Sequence, residues 1–451
     1  MKKVAILGFT CLLTYSIRPS LAFSLSFVPS EHFGGTAPYQ KLAPHPLPAD
    51  LPPTCSITQV HFHARHGSRN PTAGTFKSLA TLGNELLSQL PDLTIPAGSP
   101  FEFLRTWSLL FDPSQVEMLS VKGRQEMFQL GVDTRNTYPS LFSSGQTFVW
   151  NTNSQQRVVD SALNFAIGAF GANYTQNVTF NVLPETSASG PGSLFGFDTC
   201  PNYNQTLLSV QQRAWESVYL PPIVDRFNSL ILGFKWNLST VPMAQTMCQY
   251  ETAVSAPGFQ SPWCALFTPS EQVNFEWDND INYLQYAYTN PNATALGGTY
   301  VQLVAEQLRK GSSTQGIFAT FSHDNSIMPI ITALGMYQHD GFSSPVLVPT
   351  SHNPYTREFK SGKTVNFAGN FAVELFTCGQ SQFIRLQNNQ AVYPLEDCGP
   401  GPSGGPDGLC ELNAWLDSAA VKDSVEHGVV NGARLCGNGT VNPTHVDDSH
   451  F

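Results

Sequence analysis

The stretch Ile57-Thr58-Gln59-Val60-His61-Phe62-His63-Ala64 runs directly into Arg65-His66-Gly67-Ser68-Arg69-Asn70-Pro71, and its reading decides the rest of the chain. The first eight residues alternate, with Thr58, Val60, Phe62 and Ala64 on one face and Gln59, His61 and His63 on the other. That period of two is a β-strand signature. The next seven place a histidine between two arginines where the strand ends. Cations crowded around an imidazole oppose its protonation, so His66 can stay a neutral nucleophile in acid. The guanidinium groups of Arg65 and Arg69 form a fork-shaped receptor for phosphate. A nucleophile beside an anion clamp points to phosphoryl transfer.

Working outward, two more strands end in polar residues. Phe148-Val149-Trp150 precedes a helix from Arg157 to Phe170, with Val158, Ala162, Phe165 and Ala169 at helical spacing. Gly316 to Ser322 is apolar and leads into His323-Asp324-Asn325 and a helix toward Leu334. Ligands of open α/β sheets bind at such strand ends. Further strands are expected at Asn370–Phe376, Phe383–Leu386 and Ala391–Tyr393. Residues 171–298 change character to Pro-, Asn- and aromatic-rich loops with helical pieces such as Gln211–Tyr219. The expected plan is a signal peptide (1–22), an extended N-terminal arm (23–54) and the first part of an α/β domain (55–170). A mainly helical inserted domain (171–298) and the second α/β part (299–451) complete it.

Lys2-Lys3, the apolar run Val4 to Tyr15 and Ser20-Leu21-Ala22 have the three-part layout of a secretory leader cleaved after Ala22. No later apolar run reaches the roughly 20 residues that span a bilayer. One of the nine cysteines, Cys11, lies in the leader, leaving eight. An even count without any CxxC pair favours disulfides over metal ligation, with 105 pairings open. Six Asn-x-Ser/Thr acceptors (Asn173, Asn177, Asn204, Asn237, Asn292 and Asn438) suit a glycosylated surface. The formal charge of −10 becomes about −13 without Lys2, Lys3 and Arg18, which argues against broad nucleic-acid binding. The expectation is an exported protein, either diffusing away or held in a cell wall, with no membrane or nucleic-acid partner. The sequence leaves its oligomeric state open.

Arg65-His66-Gly67-Ser68-Arg69-Asn70-Pro71 resembles the RHGxRxP signature of the histidine acid phosphatase family, which includes fungal acid phosphatases and phytases. Read alone, Asp324 is a helix cap and Arg157 a solvated charge; beside that signature, His323-Asp324 matches the family's HD element. Ser154-Gln155-Gln156-Arg157-Val158 is similar to the family segment that binds the scissile phosphate. Segments around Cys248-x-x-Glu251-Thr252-Ala253, Trp263-Cys264 and Val392-Tyr393-Pro394-Leu395 also look like family segments. The resemblance implies a phosphoglycerate-mutase-like α/β sandwich domain with an inserted, smaller, mainly α-helical domain. It implies His66 as nucleophile, Asp324 as general acid, and Arg65, Arg69, Arg157 and His323 as phosphate ligands, with no metal or other cofactor. It also implies the disulfides Cys55–Cys378, Cys200–Cys436, Cys248–Cys264 and Cys398–Cys410. The activity expected is hydrolysis of small phosphomonoesters through a phosphohistidine, with phytate among the candidate substrates and an optimum of about pH 3–6. The other readings are a dedicated phytase and a non-catalytic exported binding protein on the same fold. His63 and Asn70 depart from the usual family pattern, and Thr72 to Leu79 carries only Lys77 where related phytases tend to hold several lysines.

Overall fold

The computed structural model describes residues 27–425, except 43–46, 48–51, 143–145, 186–199, 201, 311–314, 339, 396–397, 399–400 and 403–406. The leader, Asn438 and Cys436, and with it the Cys200–Cys436 pairing, lie outside these residues. Eight strands form one sheet: β1 (Cys55–Arg65), β2 (Phe148–Asn153), β3 (Val178–Leu183), β4 (Ile317–Ser322), β5 (Asn370–Cys378), β6 (Ser381–Asn388), β7 (Ala391–Tyr393) and β8 (Cys410–Glu411). Their order is β3-β2-β4-β1-β5-β6-β7, with β8 also on β6. β3, β2, β4 and β1 run parallel, whereas β5, β6, β7 and β8 add antiparallel neighbours. The register pairs Arg65 with Ser322, so the two strands deliver His66 and His323 at the same edge.

The longer helices among the described residues are α1 (Ala73–Gln89), α2 (Val121–Thr137), α3 (Gln156–Phe170), α4 (Ser209–Leu230), α5 (Thr240–Val254), α6 (Pro269–Leu284), α7 (Pro291–Lys310) and α8 (Asp324–Ala333). On one face of the sheet, α2 and α3 close a core of Val60, Phe62, Trp150, Phe165 and Phe321. On the other, α7 and α8 bring Tyr300, Val304 and Ile327 against Phe371 and Val373. That second core continues unbroken into α1, α4, α5 and α6 through Leu79, Leu220, Phe227 and Trp277. The architecture is therefore an α/β sandwich joined to a helical region by a shared core.

Both faces of β1 are covered, which settles its polar side. His61 stacks on Phe318 with ring centroids 4.7 Å apart, and His63 packs against Tyr300 and pairs with the Ser322 hydroxyl. Burial drives each of these imidazoles down to about 3. His63 is a core histidine, its Nε2 on the Ser322 hydroxyl and its buried Nδ1 without a hydrogen-bond partner.

Two boundaries and the conformation of the arm differ from expectation. Val178–Leu183 is a strand on the parallel edge of the sheet, so the α/β layer runs past residue 170. Helix α7 crosses residue 298 without interruption, because its apolar face packs on α8 and the sheet. The described part of the arm is compact rather than extended: Phe33, Gly34, Gly35 and Ala37 are buried between the sheet edge and α5 and α6. The two glycines make this possible, since a Cβ on Gly34 or Gly35 would strike Asn279 or Tyr283. Disulfides join Cys55 to Cys378, Cys248 to Cys264 and Cys398 to Cys410.

Candidate active site

Arg65, His66, Arg157, His323 and Asp324 stand at a strand end or a helix start. Arg65 is the last residue of β1 and is 1% exposed. Its guanidinium donates to the carbonyls of Gly35 and Val365, lies over the Phe367 ring and pairs with Asp324 Oδ2 at 2.8 Å. His66 is fixed through its backbone: its amide donates to the Ser322 carbonyl at 3.0 Å, and its carbonyl accepts from Ala368 at 2.9 Å. The ring Nδ1 sits 2.9 Å from the Gly67 carbonyl. Nδ1 therefore carries the proton and Nε2 the lone pair. Gly67 is required here, because a Cβ would lie 2.4 Å from the Gly123 carbonyl in the first turn of α2. Ser68 continues the turn by donating its amide and hydroxyl to Glu126 at 2.7 and 2.9 Å.

The remaining cations converge from other elements. Arg69 donates to the Asn70 carbonyl and the Tyr250 hydroxyl. Arg157, the second residue of α3, reaches toward Glu117 Oε2 at 3.4 Å. The Nε–H groups of Arg65, Arg69 and Arg157 are buried without a protein partner. Donors left over in this way suit an anion with several acceptor oxygens. His323 follows β4, its ring 5.5 Å from that of His66 and at 74° to it. Asp324 opens α8, where the helix dipole favours a negative charge. Its carboxylate accepts from the Asn325 amide at 2.9 Å and the Tyr283 hydroxyl at 2.6 Å.

Charges follow from these distances. Burial, then Arg65, Arg157, Arg69 and His323, hold the His66 imidazole well below its ordinary value, so it stays neutral in acid. Burial raises Asp324, but Arg65, the Tyr283 hydrogen bond, His323 and Arg69 outweigh it and leave the carboxyl below its ordinary value. The six residues singled out from the sequence are thus brought together.

Four others were missed. Glu185 binds His323 Nε2 at 3.1 Å and accepts from the Gln155 amide and side chain at 3.1 and 2.7 Å. Glu117 approaches Arg157, and Tyr283 holds Asp324. Asn153 ends β2 with both amide atoms buried and unpartnered. A signal for Glu185 existed: Val178, Phe180 and Val182 alternate with Thr179 and Asn181, so Pro184-Glu185 also follows a strand.

A family model described as the histidine phosphatase superfamily, branch 2, matches residues 56–389. A thiamine-repressible acid phosphatase of Schizosaccharomyces pombe is 36% identical over 442 residues, covering 94% of each chain. Another thiamine-repressible acid phosphatase of that yeast is 35% identical over 429 residues, covering 90% of this chain and 91% of its own. Among solved structures, the phytase from D. castellii superimposes with a TM-score of 0.81 at 24% identity, covering 92% of this chain and 88% of its own.

Proposed function

The chain belongs to the histidine phosphatase superfamily, branch 2, and on that premise we propose that it hydrolyses small phosphomonoesters in acid through a phosphohistidine on His66. One observation carries the reading: a buried, neutral imidazole is ringed by Arg65, Arg69 and Arg157, with His323 beside it and Asp324 on Arg65. The phosphate binds among these cations, whose fixed positive charge stabilises the equatorial oxygens as the transition state forms. His66 Nε2 attacks phosphorus as the bond to the ester oxygen breaks.

The leaving oxygen needs a proton, and Asp324 supplies it. In the free protein Asp324 is held as a carboxylate by its neighbours. A bound phosphate offsets the charge of Arg65 and restores the carboxyl's proton affinity. Below about pH 6 the ester enters as a monoanion and brings the proton with it. Water then attacks the phosphohistidine and gives a proton to Asp324, releasing phosphate and the neutral ring. Activity falls as pH rises above about 6, where the dianion lacks that proton.

Export is part of the proposal, supported by the leader-like start, the disulfides and acceptors such as Asn173, Asn204 and Asn237, which are exposed. No described helix is long and apolar enough to cross a membrane.

The test is rapid quenching with labelled substrate near pH 5, followed by mapping of the label. Wild type is expected to carry acid-labile label on residue 66, and His66→Ala none. Asp324→Asn should lose about 10²–10⁴-fold on alkyl phosphates and far less on aryl phosphates with good leaving groups. Label elsewhere, or full activity at pH 8 with none at pH 5, overturns the assignment.

A further inference from the structure

Glu117 has a charge and a conformation that the reaction itself does not need. The loop before α2 lies antiparallel to the strand-end motif: the Asn70 amide donates to the Met118 carbonyl, and the Glu117 amide to the Pro71 carbonyl, both at 2.9 Å. Arg69 and Leu119 form an isolated antiparallel bridge. These contacts hold Glu117 at φ 66°, in the left-handed region that side chains rarely adopt. Its side chain is 45% exposed, with one carboxylate oxygen 3.4 Å from Arg157 Nη1. The other accepts from the amide of Ala73, the first residue of α1, at 3.3 Å. A solvent-reachable anion is thus anchored beside a guanidinium of the phosphate receptor.

We propose that Glu117 is a specificity-determining residue that admits esters with uncharged leaving groups and disfavours polyphosphorylated ones. The proposal rests on Arg157 gripping the scissile phosphate. Once that phosphate is seated, the Glu117 carboxylate borders whatever lies next on the substrate. A hydroxyl or carbon there is tolerated, whereas a second phosphate meets a like charge that cannot swing far from its anchors. The adjoining segment offers little compensation, because Lys77 is the only cation from Thr72 to Leu79.

The experiment compares kcat/KM for inositol hexakisphosphate and p-nitrophenyl phosphate near pH 5 in wild type, Glu117→Gln, Glu117→Gly and Glu117→Asp. Removing the charge should raise the hexakisphosphate-to-aryl ratio on the order of tenfold, with the gain shrinking at high salt. Glu117→Asp should keep the wild-type ratio. Glu117→Gly guards against misfolding, since glycine adopts the left-handed backbone freely. Equal changes on both substrates, or an unchanged ratio in Gln and Gly, overturn the proposal. Arg157→Ala, assayed on the aryl ester alone, separates the two readings: undiminished activity there would refute the role of Arg157, whatever Glu117 does.

Discussion

Glu185 shows how one buried carboxylate can organise two of the proposed phosphate ligands. It receives hydrogen bonds from His323 at the end of β4 and from Gln155, which precedes the helix carrying Arg157. Burial works against its charge, but His323, Gln155 and Arg157 outweigh burial and hold the group below its ordinary value. Glu185→Gln keeps the shape and removes the charge. A charge-assisted hydrogen bond is worth about 1.5–3 kcal/mol, so affinity for inorganic phosphate as a competitive inhibitor should weaken about 10- to 100-fold. Lowered thermal stability with unchanged phosphate inhibition would make Glu185 merely structural. Arg65, His66 and Arg69 were legible because their chemistry stands in one short stretch at a strand end; Arg157, His323 and Asp324 were legible only beside that signature, since alone they read as a solvated charge and a helix cap. Glu185 and Tyr283 were not, because each takes its meaning from a partner 138 or 41 residues away.

Between elements, the crossing of α2 and α3 sets where Arg157 stands. A Cβ on Gly131 would lie 2.0 Å from the Phe165 carbonyl, and one on Gly168 would lie 2.0 Å from the Phe128 carbonyl. The helices meet backbone to backbone at both points, leaving no flexible side chain to yield. Gly131→Ala or Gly168→Ala should therefore cost about 1–3 kcal/mol, read from the denaturant midpoint. Either should also lower phosphatase activity by shifting Arg157, whereas full activity at reduced stability would show that the start of α3 is held independently. Strand β1 was legible from its period-two alternation, β4 from its continuous apolar run, and helix α3 from apolar residues at helical spacing, with α8 read as the helix after β4. Strand β3 was not: it is an outer strand with exposed or half-buried residues at its middle, so its pattern is diluted by polar side chains. The arm misled for another reason, since Pro and Ser suggest exposure whereas Phe33 and two glycines carry the burial.

Taken whole, the molecule buries neutral forms of both kinds of titrating group. His61 and His63 are held near about 3 by burial, and His66 also lies well below its ordinary value. An unfolded imidazole titrates near about 6.5, so between about 3 and 6.5 the unfolded chain binds more protons. Stability is then lost as pH falls, by about 1.4 kcal/mol per pH unit per ring. Glu251 works oppositely: burial pushes it up to about 7, and the folded state keeps its proton from about pH 4 to 7 while the unfolded chain loses it. Burial raises Asp278 likewise. Stability is lost there as pH rises. The three imidazoles outweigh the two carboxyls below about pH 6.5, so the melting temperature should peak at about pH 6–7 and fall on either side, and Glu251→Gln should flatten the upper limb. A profile still rising steadily to pH 8 would contradict these protonation states. At this scale the sequence revealed the sandwich and its helical region but not their shared core, which depends on contacts no local pattern encodes. The position of β1 has one more consequence. It lies between β4 and β5, whose residues follow their partners on it by some 260 to 320 positions, and Cys55 is tied to Cys378, 323 positions later. The ribosome therefore releases the strand before His66 early and its two neighbours late. A nascent chain stopped short of Asn370 would own all six residues of the site and still leave one flank of that strand bare, so competence waits until β5 has been made.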